Sequence, residues 1–251
     1  NDSHDFRNSA LLLCKSAPHA FSWLTTVPSE FIDNSSFSLL LRFHTGMKLL
    51  PESSPCPCCQ KSIEPFGDHA ITCSTSGQPI QKHNSLCRKL GSFIRAAGFQ
   101  VSMEVPVPSL SGNKRPGDLL IHGWHGDHDL LIDVSVCSPL SSTYRSAASK
   151  DAFATSRSRT SLKLAKYTRV TDQLAFLPLV VENLGGWDPS TQEFFGTLFR
   201  RYATATQLTL PFASQAIFGV LSLCLQSHNG RMLSLRCRSF GTAPSLACET
   251  Y

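Results

Sequence analysis

The chain has 251 residues, 41% of them hydrophobic, which is enough for a packed core and excludes wholesale disorder. Its formal net charge is +5, compatible with a polyanionic partner without requiring one. No uninterrupted apolar run approaches the ~18–20 residues of a membrane helix, so no membrane partner is expected; the longest runs, Ala216–Leu225 and Leu174–Val181, are core-sized.

The opening Asn1-Asp2-Ser3-His4 lacks both an initiator Met and the layout of a secretory signal, and reads as part of something longer or a processed product. Residues 1–50 form a helical N-terminal segment, with weak helical patterns over Ala10–Ser16 and Phe37–Leu50 and punctuation by Pro18 and Pro28. Pro51 to Pro57 marks a boundary. Ten cysteines raise the question of a disulfide framework, but four lie within Cys56–Cys73 and the rest are scattered. Clustered Cys with His outside a secreted context points to metal and to a reducing compartment. Cys56-x-x-Cys59 followed by His69-x-x-x-Cys73 supplies the four soft or borderline ligands of a closed, structural zinc site, so 51–78 is expected to be a small CCHC knuckle. Cys58 competes with Cys59 for one position.

From Gln81 the pattern becomes regular. Leu86, Leu90, Phe93, Ile94 and Ala97 predict a helix that ends at Gly98. Alternation over Phe99–Val107 predicts a strand, and Leu119–Ile121 and Leu130–Val136 predict two more around the turn Gly123–His128. Thr143 to Thr168 is mostly helix-compatible, and Leu174–Val181 reads as a strand held to an edge or bulge by Pro178. Thr191–Ala205 and Ala213–Gln226 close the chain as helices, before a basic tail. The fold class is therefore α+β or α/β, with an αβββαβ core over 79–210 and a C-terminal helix and tail over 211–251.

An acid inside an apolar strand is costly unless paired or bound to metal. A hairpin that pivots about the middle of Gly123–His128 places Asp118 directly opposite Asp133, on one face. Two carboxylates so close call for a cation between them, and hard oxygen ligands suit Mg²⁺, which polarises a phosphodiester and prepares a water. Glu104 is a candidate third carboxylate; pairing of Asp133 with Arg115 or Lys114 is the structural alternative. Lys163, Lys166 and Tyr167 share one helical face, so either lysine can orient the water, with Lys150 as runner-up. Arg145 to Arg169 carries seven basic residues against Asp151, as a solvated helix face or a strip for phosphates. His122, His125 and His128 read as turn composition, and Trp23, Trp124 and Trp187 as packing residues that could also stack bases.

The ordered set Cys56…Cys59…His69…Cys73, Lys82-His83-Asn84, Pro116-Gly117-Asp118, Asp133-Val134-Ser135-Val136 and Lys163-x-x-Lys166-Tyr167 resembles the C-terminal region of non-LTR retrotransposon proteins with a restriction-like endonuclease. That resemblance implies a PD-(D/E)xK-type core with its lysine moved onto the following helix. It makes Asp118 and Asp133 the magnesium ligands and Lys163 the catalytic lysine, with Lys166 close behind. Cys56, Cys59, His69 and Cys73 become the zinc ligands, and Lys82, His83, Asn84 and Arg115 the DNA contacts. It further implies a nuclear protein that nicks target DNA to prime reverse transcription, in one polypeptide with a reverse transcriptase and with element RNA as a second partner. Gly117 between Pro and Asp, and Lys82 in place of Arg, depart from the family pattern. A binding module without catalysis is the second reading.

Overall fold

The computed structural model describes residues 2–25, 32–104, 117–167 and 174–237. The N-terminal region has two helices, α1 (Asp2–Lys15) and α2 (Asn34–His44). The Asp33 side chain starts α2 by accepting from the backbone N–H groups of Ser35 and Ser36 at 3.1 and 3.0 Å. Two-residue strands β1 (Ser54–Pro55) and β2 (Ser62–Ile63) pair antiparallel, and the short α3 (Asp68–Thr72) follows. Gly67, at φ 79°, makes the reversal that delivers α3, as the loop before His69 requires.

Helix α4 (Gln78–Ala96) carries Pro79 in its first turn and is followed by Gly98 at φ 89°. Its Leu86, Leu90 and Ile94 face the sheet core. The sheet has four strands in the order β3 (Val101–Met103), β4 (Leu119–His125), β5 (His128–Cys137) and β6 (Ala175–Glu182). The first two pairings are antiparallel and β5–β6 is parallel. Between β5 and β6 the chain crosses through α5 (Arg145–Ala148) and α6 (Ala154–Lys166), and after β6 come α7 (Gln192–Thr206) and α8 (Leu210–Cys237).

The expected strand Phe99–Val107 is shorter. It leaves the ladder at Glu104, whose φ of 53° does not continue a strand, while Val105 and Val107 lie outside the described residues. Pro178 sits on the edge strand β6, where its missing N–H costs no ladder bond on the open side. In β4–β5, Leu119 pairs with Ile132 and Ile121 with Leu130, the register that alternation imposes. That register slips by the turn, where His125 pairs with His128 and Gly123 and Gly126 have φ 62° and 64°.

Two large buried clusters organise the described residues, beside a small third one at Leu131 and Tyr167. One lies between the sheet, α4, α7 and α8; there Trp124 packs between Phe99 and Phe194 with ring centroids 4.8 and 5.0 Å away. The other gathers Leu11, Trp23, Leu40 and Phe43 with Cys56, Ile63, Ile71 and Cys73, and with Leu233 of α8. Helices α1 and α2, the Cys/His segment and the last helix therefore share one core.

Helix α8 runs well past the expected end at Gln226. The polar run Gln226-Ser227-His228-Asn229-Gly230 looks like a terminator, but all five residues are buried. Gln226 and Asn229 satisfy themselves by donating to the Asn183 carbonyl at 3.0 and 2.9 Å. The helix is long and apolar enough by length and composition to cross a membrane, yet most of it is packed inside the protein. Of the basic tail expected after Gly230, residues 231–237 belong to α8 and 238–251 lie outside the described residues.

Candidate metal centre and carboxylate cleft

Two turns and the start of α3 bring Cys56, Cys59, His69 and Cys73 together, with all four donor atoms within 4.8 Å of one another. Cys56 Sγ and Cys73 Sγ are 3.8 Å apart, Cys73 Sγ and Cys59 Sγ 3.7 Å, and Cys59 Sγ and His69 Nε2 3.1 Å. A tetrahedron with metal–sulfur bonds of about 2.3 Å has sulfur–sulfur edges of roughly 3.8 Å. These are unbonded thiols at ligand spacing, and the set can hold a metal such as zinc. Cys58 stays outside the set, which resolves the competition with Cys59. Burial lowers the pKa of His69, favouring the neutral imidazole a metal needs.

Next to His69, the buried Asp68 is held by three guanidinium contacts. Arg7 reaches it through Nε and Nη2, both at 2.8 Å, and Arg145 through Nη2 at 3.1 Å. This clamp ties α1 and α5 to the Cys/His segment. Nothing in the spacing of residues 7, 68 and 145 announces it.

The second site lies at the N-terminal end of β4. Asp118 is the residue before that strand; its backbone N–H donates to the Ile132 carbonyl at 2.8 Å, one residue out of the β4–β5 register, so the ladder ends at Leu119–Ile132 and the expected pairing of Asp118 with Asp133 is not among its pairs. Both acids line a cleft of about 610 Å³, together with His83, Arg159, Lys163 and Tyr167. The Asp118 carboxylate accepts the Val134 N–H at Oδ2 (2.7 Å) and is contacted at Oδ1 by His83 Nε2 (3.0 Å). Lys163 Nζ on α6 lies 2.6 Å from Asp133 Oδ2.

Burial pushes the Asp133 carboxyl above its ordinary pKa, Lys163 pulls it down, and the Asp118 charge adds to the upward push. His83 is raised, first by its hydrogen bond to Asp118 and against the opposing effect of burial. A third ligand-type grouping, His83, Cys87 and Asp118, shares these residues. Burial holds the Cys87 thiol far above its ordinary pKa, which keeps it a protonated and weak ligand.

Several expected site residues fall elsewhere. Glu104 is exposed and lines a separate cleft of about 330 Å³ with Asn84 and Arg88; the two clefts share only His83 and Asp118. It does not line the cleft that holds Asp133, although its backbone N–H donates to the Asp118 carbonyl at 3.0 Å. Lys166 is exposed, with Nζ 4.9 Å from the Tyr167 ring centroid, so of the two lysines on that helix Lys163 alone reaches the acids.

Lys82 is buried and donates to Asn183 Oδ1 and Asn229 Oδ1, both at 3.0 Å. With its ammonium committed to two amides, and its pKa lowered to about 8 by burial, it is a buried cation in the wall of the same cleft, with its described hydrogen bonds spent inside the protein. Arg115 lies outside the described residues. His122 contacts Ser102 and Asp129, each at 3.0 Å, and the three hairpin histidines do not converge.

No protein-family model matches the chain, and no curated protein matches it.

Proposed function

We propose that this chain is a metal-dependent DNA endonuclease of the restriction-like type, joined to a structural zinc knuckle, as in the retrotransposon proteins that its motifs resemble. The observation that carries the reading is the placement of Asp118, Asp133 and Lys163 in one cleft, across a β-hairpin and the helix after it. Cys56, Cys59, His69 and Cys73 would hold zinc in a closed set with no open position, hence a structural role. Asp118 and Asp133 would hold Mg²⁺, which supplies charge neutralisation for the phosphodiester and a more acidic water.

The chain's own groups account for the rest. Lys163, already beside Asp133, orients the water and offsets negative charge that develops on the phosphate oxygens. His83 and the Val134 N–H fix the Asp118 carboxylate in its rotamer, so the ligand set is preorganised. Nicking of target DNA, a nuclear location, and association with a reverse transcriptase and its RNA belong to the same proposal.

The test is conversion of supercoiled plasmid to nicked circles by purified protein in Mg²⁺. Asp133→Ala and Lys163→Ala should abolish it while leaving DNA binding in place. Absence of nicking by the unmodified chain in both Mg²⁺ and Mn²⁺ would overturn the enzyme. The second reading, a zinc-dependent nucleic-acid-binding module, is favoured by one observation: both acids already have partners, Asp118 in His83 and Val134, and Asp133 in Lys163.

A further inference from the structure

The basic strip that precedes Arg169 sorts by partner once it is folded. Arg145 is committed to Asp68 and the Leu140 carbonyl, Arg157 is ion-paired with Asp151, Lys163 with Asp133, and Lys166 lies over Tyr167. Lys150 is exposed and does not line the cleft. Arg159 differs. It lines the cleft, and its one described contact is with a neutral group: its Nε lies 3.5 Å from Ser135 Oγ.

The arrangement has a period. Along α6, Arg159 and Lys163 are four residues apart, an advance of about 6 Å. Along β5, Ser135 and Asp133 are two apart, an advance of about 6.6 Å. The helix therefore sets Lys163 against Asp133 and Arg159 against Ser135, as two adjacent cationic positions on one wall. At the Arg159 end, Ser138 also lines the cleft; it is 8% exposed, and its Oγ has no hydrogen-bond partner among the described residues. Among the described residues, a guanidinium with no carboxylate partner and a buried hydroxyl with no hydrogen-bond partner line one cleft, which is short of an acceptor-rich anion.

We infer that Arg159 and Ser138 form a phosphate-binding subsite that holds the backbone phosphate of DNA next to the one lodged at Asp118, Asp133 and Lys163. This rests on the nuclease reading for the identity of the polymer, and names the part of the cleft that grips it. Arg159 donates to the phosphate oxygens through the face not turned to Ser135. Ser138 donates its hydroxyl, and no bond is made or broken there. A nucleotide backbone carries its charges at intervals that two cations so spaced can meet in register.

The experiment measures binding of a short mixed-sequence DNA duplex, with Ca²⁺ replacing Mg²⁺ to prevent turnover, as a function of salt. Arg159→Gln should make the log–log salt dependence shallower by about one, Arg159→Lys should retain the slope, and Ser138→Ala should weaken binding about fivefold. Lys166→Gln, outside the cleft, serves as the surface-charge control. An Arg159→Gln protein with the wild-type urea midpoint and an unchanged slope, or a slope change equalled by Lys166→Gln, overturns the subsite. Should Arg159→Gln not fold, Ser138→Ala decides, and unchanged affinity overturns it.

The two proposals fail separately. A chain that never nicks DNA, yet loses slope with Arg159→Gln, keeps the subsite and loses the enzyme. One that nicks, with slope and affinity indifferent to both substitutions, keeps the enzyme and loses the subsite.

Discussion

Lys163 Nζ stands 2.6 Å from Asp133 Oδ2, with 16% and 10% of the two side chains exposed. A pair this withdrawn from water has an asymmetric energy: removing one partner strands the other, whereas removing both is tolerated. We expect Lys163→Met to destabilise the chain by roughly 3–5 kcal/mol and Lys163→Met/Asp133→Leu to recover most of that loss. Urea unfolding of the three proteins checks this. A single variant as stable as wild type would mean the pair contributes nothing to the fold.

Glu182 ends β6 with no exposed surface, and burial raises its pKa from 4.5 to about 7. Its Oε2 has no hydrogen-bond partner among the described residues. Because the folded carboxyl binds its proton more tightly than the unfolded one, the contribution of Glu182 to stability should fall as pH rises from 4.5 to about 7 and level off above, while the buried His44, its pKa lowered to about 4, contributes the opposite slope below its ordinary value. Glu182→Gln removes that contribution, and above the window the variant should exceed wild type by up to roughly 3 kcal/mol. Denaturant midpoints of both proteins across the range test it, and a Glu182→Gln protein that does not gain on wild type as pH rises through that window would overturn it.

The Cys/His set distinguishes its members sharply. Cys59→Ser, Cys56→Ser and Cys73→Ser should each lose the bound metal, and Cys58→Ser should keep about one zinc per chain by elemental analysis. Because Cys56 and Cys73 belong to the core shared with α1 and α2, chelation should lower Tm by at least roughly 10 °C. Equal zinc content in the Cys58 and Cys59 variants would remove Cys59 from the set.

Lys82 makes a contrasting case. Lys82→Met takes the donor away from the amide oxygens of Asn183 and Asn229, at a cost of about 1–3 kcal/mol for each group left unsatisfied. DNA affinity and its salt dependence should not change. A shallower salt slope in a fully folded Lys82→Met protein would restore this lysine to the DNA surface.

The parts legible in the sequence are those governed by local periodicity or short spacing. Alternation around a glycine turn was enough to pair Leu119 with Ile132 and so to bring Asp118 and Asp133 into one cleft, because a one-residue slip would turn every apolar side chain of β4 and β5 outward. The cysteine spacings likewise placed the metal set, apart from the choice between Cys58 and Cys59. The illegible parts depend on partners far away in the chain. Lys82 beside His83 looks like a surface pair until Asn183 and Asn229, 101 and 147 residues on, are seen to receive it. The polar stretch of α8 looks like a helix end for the same reason. Arg159 had a charge but no distinguishing mark, since what sets it apart from Arg157 and Lys163 is that they have a carboxylate partner and it has none among the described residues.

Helix α8 supplies Ile217, Phe218, Leu221 and Leu225 to the core beneath the sheet, and Leu223, Leu233 and Cys237 to the core around the Cys/His segment. Neither half of the molecule can exclude water until this late segment arrives. During synthesis, the earlier elements must wait on the ribosome with their apolar faces uncovered, a window in which a chaperone or a misplaced neighbour can compete. Once α8 is seated, the halves should melt together in a single transition, so a protease that opens one exposes the other.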